Sequence, residues 1–427
     1  MNISLKNIFL SAVAAVFLLS CSSSTDEKIL IKFWTFGSEG ENVQKLLPEF
    51  ERQNPGIKII VQQIPWIAAH EKLLTGFAGN SLPDICQLGN TWIPEFAMLG
   101  ALEPLTKYID SSPQIRAEKY FAGIWNSNIV DSTVYGIPWY VDTRVLFYRK
   151  DILAAVGYTH PPKTWDELKD VSRKIVNSGK RKRYAIFLPT NEWLPSVLFG
   201  MEAGSTLLKD NMTRGNFSGK EFKTGYDFLR SFYEERLAPS SMMEVMNVYQ
   251  GFAEGYFAMY ITGPWNIGEF ERRLPPELKG KWGTAPLPGR TDSLPGVSLP
   301  GGSSFVIFKH SPHKEAVWKF IEYLSQPNVQ LQFYQLTGNL PAQKESWNDT
   351  LLTKNELMQA FLTQFTVVRS PAKIPEWEQI AQKIQDFSET AARQTKPNTE
   401  ILKELDSYVD QFLTKRRWLF ESGKLPK

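Results

Sequence analysis

The chain has 427 residues, 42% of them hydrophobic and 22% charged, a balance that fits a folded soluble protein and excludes a long disordered region. A formal net charge of +3 is too small to point to nucleic acid or to an anionic membrane surface as partner, and neutral ligands suit it best. Two cysteines, Cys21 and Cys86, and four histidines, His70, His160, His310 and His313, form no HExxH or paired-cysteine motif, so neither a metal nor another cofactor is expected.

Lys6 followed by an apolar run from Ser11 to Leu19 reads as an export signal. The run is shorter than the roughly 20 residues that cross a bilayer as a helix. Leu18-Leu19-Ser20-Cys21 resembles a bacterial lipobox, which implies cleavage before Cys21 and acylation of that cysteine. Residues 1–20 would then be a lipoprotein signal peptide and 21–27 a lipid-anchored tether, with the remainder in the cell envelope, facing the periplasm or the exterior.

The remaining chain is long enough for two or three domains. Lys28 to Phe36 reads as a strand. Glu41 to Gln53 carries Val43, Leu46, Leu47 and Phe50 at helical spacing, and Asn54-Pro55-Gly56 stops it. Ile57 to Ile64 is the next strand, so the fold opens β-α-β with a parallel pair. Thr164-Trp165-Asp166-Glu167 is a capping box that predicts a helix after Thr164. Ser311-Pro312 predicts another helix, with Ala316, Val317, Phe320, Ile321 and Leu324 facing a core and Gln326-Pro327 ending it. Helices alternating with strands indicate α/β layers. There is no repeat and no low-complexity linker, so separate domains must be joined by several ordinary chain crossings.

Ile31-Lys32-Phe33-Trp34-Thr35-Phe36, Asn54-Pro55-Gly56-Ile57-Lys58 and Leu82-Pro83-Asp84-Ile85 resemble the start of the extracellular solute-binding proteins, family one. These are the substrate-binding lipoproteins of sugar ABC importers and include the maltose-binding proteins. The resemblance continues through Tyr135-Gly136-Ile137-Pro138, Leu146 to Asp151, Pro161 to Leu168, Gly263-Pro264-Trp265, Gly301-Gly302-Ser303 and Thr337 to Ala342. It implies a type II periplasmic-binding-protein-like α/β fold of two lobes, with the ligand cleft between them. The first lobe would take residues 28–140 plus 304–344, and the second 141–303 plus 345–427. It further implies a monomer without enzymatic activity that closes on a neutral mono- to trisaccharide and delivers it to the permease transmembrane subunits.

A pyranose offers apolar C–H faces and a rim of hydroxyls, so its site needs flat aromatic platforms with carboxylates and amides at their edges. Trp34, Trp92, Trp139, Trp193, Trp265 and Trp377 stand in loop-like or Gly/Pro-flanked contexts and are the aromatic candidates, although tryptophans more often fill cores. By family position Trp265 is the second-lobe platform and Trp193 a further stacking ring. The polar candidates are Glu39 after the first strand, Asn90 and Thr91 on the next cleft loop, Tyr140, Asp142 and Arg144 at the first crossing, Asn191, and the Gly302-Ser303 pair. For Glu39 the competing reading is a solvated acid at a helix start, and for Asp142–Arg144 a hinge ion pair. Asp84 reads as a loop-holding residue instead of a ligand contact.

Two alternatives to the sugar reading stand. A glycerol phosphodiester or a polyamine could replace the sugar, since proteins of similar architecture take both. An exported carbohydrate-active enzyme could also use a Trp-rich cleft with paired carboxylates, but no GxSxG, P-loop or Ser-His-Asp pattern supports catalysis.

Overall fold

The computed structural model describes residues 28–178, 183–292, 295–393 and 395–425, so the export signal and the Cys21 lipobox lie outside the described residues. Ten strands build the two main sheets. In chain order they are β1 (Ile29–Phe36), β2 (Ile57–Ile64), β3 (Ile85–Gly89), β4 (Ile137–Asp142), β5 (Val145–Arg149), β6 (Ile186–Phe187), β7 (Met259–Thr262), β8 (Trp282–Ala285), β9 (Gly301–Ile307) and β10 (Leu340–Pro341).

The first sheet has six strands in the order β10-β4-β9-β3-β1-β2, and the second has four in the order β8-β5-β7-β6. β1 and β2 run parallel, in register from Ile29↔Ile57 to Phe36↔Ile64, as the opening β-α-β pattern requires. The connecting helix is broken where a single one was expected. A helix at Glu39–Val43, a 3₁₀ turn at Gln44–Leu46 and a helix at Leu47–Gln53 take its place. Pro48 has no N–H to give to the carbonyl one turn back, so the ladder is interrupted ahead of it.

Of the two predicted caps, the first forms with a shift and the second does not form. Thr164 Oγ1 accepts from the Glu167 amide at 3.1 Å, but Glu167 reaches back to the Lys163 amide, at 2.7 Å, one residue before the cap. The second helix begins at Lys314, because Ser311 is turned away to donate to Asp84 Oδ1 at 2.6 Å. Pro327 does more than end that helix, since it starts the next, Pro327–Thr337. Asp84 Oδ2 also accepts from the Lys32 amide at 2.8 Å, which ties β1, β3 and the Ser311 turn together.

The chain passes between the sheets between Asp142 and Val145, between Ala285 and Gly301, and after Pro341 on the way to the Glu356–Gln364 helix, where Thr284 Oγ1 donates to the Leu357 carbonyl at 2.7 Å. β4 runs to Asp142 and β9 starts at Gly301, paired to each other, so both edges of these crossings belong to the six-stranded sheet. One hydrophobic core continues from Phe33, Trp139 and Phe305 through Val141 and Val145 to Phe147 and Trp282. The C-terminal helices Trp377–Arg393 and Asn398–Phe412 complete the core of the second lobe, packed with Phe222, Tyr226 and Trp165. Residues 208–215 form a short hairpin on that layer. Asp410 accepts from the Gly215 amide at 2.9 Å, and Asp406 from the Phe217 amide at 2.7 Å.

Candidate functional site

Where the two lobes face each other lies a cavity of about 650 Å³. From the first lobe it is lined by Gly37, Ser38, Glu39, Trp66, Tyr140, Asp142, Thr337 and Asn339, and from the second by Tyr249, Trp265, Glu269 and Arg273. A cavity of similar volume, about 630 Å³, lies on the far side of the Trp265–Arg273 helix, lined by Phe270, Leu274, Pro275, Trp282, Leu357 and their neighbours. That one draws on a single lobe. The inter-lobe cavity brings rings and converging polar groups together from both and has the stronger chemistry for a small polar ligand.

The first-lobe wall is a wired polar network. β1 ends just before Gly37, whose φ of +65° turns the chain so that Glu39 opens a helix and lines the cavity. A Cβ at Gly37 would stand 2.8 Å from both Glu39 Oε2 and Trp66 Cδ1, so the glycine makes room for both side chains. Glu39 is buried, and its Oε1 accepts from the Tyr140 hydroxyl at 3.0 Å and from Asn339 Nδ2 at 3.1 Å. The Tyr140 hydroxyl itself accepts from Gln87 Nε2 at 2.9 Å and Ser303 Oγ at 3.0 Å. Burial pushes the Glu39 carboxyl up from its ordinary value, against the hydrogen bonds from its own backbone, Tyr140 and Asn339, and the nearby Asp142 charge adds to the rise. Glu39 is therefore not a solvated helix-start acid.

The second-lobe wall is one face of a helix. Trp265, Glu269 and Arg273 recur at four-residue spacing and all reach the cavity. Arg144 lies over the Trp265 ring, 4.6 Å from its centroid, and is ion-paired to Asp142. Arg273 lies over Tyr249 at 4.8 Å and pairs with Glu269. Burial opposes the charge on Glu269, but hydrogen bonds from Arg273 and Arg272 outweigh it and hold the carboxyl below its ordinary value. Trp265 is 37% exposed, which leaves aromatic surface open to the cavity.

Of the residues proposed from sequence, Glu39, Tyr140, Asp142 and Trp265 line the cavity, with Arg144 adjoining it. Others are placed elsewhere. Trp34 is in the core under Leu82 and Gly76, with Lys72 over its outer face, so it is no ligand platform. Trp377 is fully buried, edge-on to half-buried Trp193 at 5.6 Å, and neither ring reaches the cavity. Asn90 spends its side chain within the fold, accepting from Ser304 Oγ at 2.9 Å and donating to the Gly301 carbonyl at 3.4 Å. Ser303 is buried behind Tyr140, and Gly302 serves the backbone: at φ +111°, a Cβ there would meet the Tyr140 carbonyl at 2.2 Å. Asn191 is exposed off the cavity, Trp92 stands one layer behind its wall against Trp66, and Thr91 does not line it. Trp66, Tyr249, Glu269, Arg273, Thr337 and Asn339 were not anticipated. The four-residue spacing from Trp265 could have found Glu269 and Arg273.

This architecture, two α/β lobes with polar groups and rings converging between them, is that of the type II periplasmic binding proteins. The chain belongs to the bacterial extracellular solute-binding protein family, whose profile matches residues 35–331. The sugar-binding protein MalE of Xanthomonas citri superposes with a TM-score of 0.87 at 46% identity, covering 92% of this chain and 99% of that one. A binding protein of Brucella abortus (strain 2308) is 26% identical over 376 residues, 86% of this chain and 89% of its own length. The maltotriose-binding protein of Pyrococcus abyssi (strain GE5 / Orsay) is 26% identical over 328 residues, 74% of this chain and 67% of its own. Among the described residues, no helix is long and apolar enough to cross a membrane.

Proposed function

We propose that this protein is the substrate-binding subunit of an ABC importer for a neutral carbohydrate of one to three rings. The observation that carries the reading is the pairing across one cavity of an open indole, Trp265, with a buried carboxylate and amide network at Glu39, Tyr140 and Asn339. The indole supplies a surface for sugar C–H groups, and the network supplies fixed acceptors and donors for hydroxyls. The cations at the site, Arg144 and Arg273, are each paired with a carboxylate, which suits a neutral ligand better than a phosphorylated one. The names of the Xanthomonas and Pyrococcus relatives, a sugar-binding and a maltotriose-binding protein, support the same ligand class. Ligand touching both walls favours the closed arrangement of the lobes by its differential affinity, and the permease reads that arrangement. Acylation at Cys21 keeps the protein at the membrane.

One observation favours a second reading. Three carboxylates, Glu39, Asp142 and Glu269, outnumber the guanidiniums at the site, which would suit a cationic solute such as a polyamine. A thermal-shift panel on the whole chain decides between them, because a ligand at 100 times its dissociation constant adds about 2.7 kcal/mol of stability. A rise confined to glucose, maltose and maltotriose or their isomers supports the carbohydrate reading. A response to spermidine with a flat sugar panel replaces it.

A further inference from the structure

Trp92 lies one ring behind the cavity wall. Its ring centroid is 5.7 Å from that of Trp66, which lines the cavity, and 5.1 Å from that of His70. His70 Nε2 is 2.6 Å from Glu95 Oε2 within the first lobe. From the opposite lobe comes Glu378, in the first turn of the Trp377–Arg393 helix, whose Trp377 and Ile380 sit in the second-lobe core. The Trp377–Arg393 helix packs against the Asn90–Trp92 turn of the first lobe, where the Glu378 carboxyl faces the Thr91 and Trp92 side chains and the charge of His70; burial raises that carboxyl above its ordinary value against those three, and its Oε1 is buried without a hydrogen-bond partner. A buried carboxylate oxygen is costly to leave unmatched, so the packing of its helix, and not a hydrogen bond at Oε1, holds Glu378 against Trp92.

We propose that Glu378 is a positioning residue for the ligand platform Trp66: from the second lobe it fixes Trp92, and through Trp92 the orientation of the ring at the cavity wall. The ligand used to test this rests on the carbohydrate reading, while the contact between the lobes does not. The titratable and charged groups around Glu378 are His70 on the Trp66–Ala78 helix, Glu95 on the Ile93–Met98 helix, Glu376 just ahead of its own helix, and Lys415 and Arg416 on the Thr414–Glu421 helix, near Glu376. Burial works against the His70 charge, but Glu95 and Glu378 outweigh it and raise the imidazole above its ordinary value. Protonated His70 therefore pairs with Glu95 and supplies countercharge to Glu378 from the opposite lobe. As pH rises through the His70 pKa, Glu95 and Glu378 lose that shared countercharge and the hold on Trp92 loosens.

The test follows maltotriose binding and tryptophan emission of the whole chain from about pH 6 to about pH 9, bracketing the ordinary imidazole range. It uses wild type, Glu378→Ala, Glu378→Gln and Trp66→Phe. Glu378→Ala should weaken maltotriose by about tenfold at the acidic end. Glu378→Gln, which keeps the shape and removes the charge, should restore most of that affinity and flatten the dependence on pH. Without ligand, the pH-dependent change in emission should be present in wild type and lost in Glu378→Gln and Trp66→Phe. Wild-type affinity and an unaltered pH profile in Glu378→Ala would overturn the proposal. If maltotriose does not bind wild type at all, the choice of sugar fails. The ligand-free emission then decides alone: a pH response unchanged by Glu378→Gln overturns the proposal, and its loss upholds it.

Discussion

The two walls of the cavity are built on opposite principles. On the first lobe, Glu39, Tyr140, Gln87, Ser303 and Asn339 are buried and already hydrogen-bonded to one another, so their geometry is set before any ligand arrives. On the second lobe, Trp265, Glu269 and Arg273 project from one helix face, with Arg144 and Arg273 laid over aromatic rings. Buried networks cost much to disturb, whereas half-exposed cation–ring stacks contribute little each and reorganise easily. Under the carbohydrate reading, the fixed acceptors would select which hydroxyls fit, while the stacking side would adapt to the ring laid on it.

Substitutions on the two walls should therefore part company, stability changing on one side and affinity on the other. The largest effect is expected from Gly302→Ala, which puts a methyl group against the Tyr140 carbonyl at positive φ. It should cost on the order of 3 kcal/mol of stability, read as a lower thermal midpoint. An unchanged midpoint would show that the first wall is less rigid than its hydrogen bonds indicate. Trp265→Ala should do the reverse, weakening ligand by about 1–3 kcal/mol with little loss of stability. Calorimetric titration with the sugar found in the thermal panel measures it, and undiminished affinity removes Trp265 as the platform.

Glu39→Gln sharpens the contrast through pH. Because the folded-state pKa of Glu39 is raised above its ordinary 4.5, its protonated form favours the native state. That contribution is complete below 4.5 and is lost as pH rises through the folded value. The difference in thermal midpoint between wild type and Glu39→Gln should thus move against wild type as pH climbs from about 4 to about 7. A constant difference would mean that Glu39 is as easily ionised in the fold as outside it. The smallest change is expected from Arg273→Lys, which keeps the charge near Glu269 and gives up the guanidinium over Tyr249, about 0.5–1 kcal/mol of affinity. A loss as large as that of Trp265→Ala would make Arg273 a direct ligand contact.

The parts of the fold readable from the sequence were those governed by local chemistry. β1, β2 and the Trp165–Ser178 helix follow from residue alternation, Asn54-Pro55-Gly56 and the Thr164 cap. The break at Pro48 was also legible in principle, since proline removes a donor wherever it falls. Tryptophans were harder, because loop-like flanks do not reveal which side of a loop faces the core. Trp34 points under β1 and Trp377 into a helix layer, while Trp66, on a helix that was not anticipated, reaches the cavity. Asn90 and Ser303 have the right chemistry for sugar hydroxyls but spend it on the crossing strands, a partner choice that only the β3–β9 and β9–β4 registers reveal. Asn339 meets Glu39 across 300 positions of sequence, beyond the reach of any local pattern.

Between β4 and β5 only Thr143 and Arg144 separate the two sheets. Asp142, Tyr140 and Arg144 thus sit on the same few backbone bonds that any rotation of one lobe against the other must twist. A protein made this way cannot tune what it grips independently of how it moves. Each mutation that alters recognition at this linkage also resets the torsional spring of the joint, so selectivity and conformational bias must evolve together.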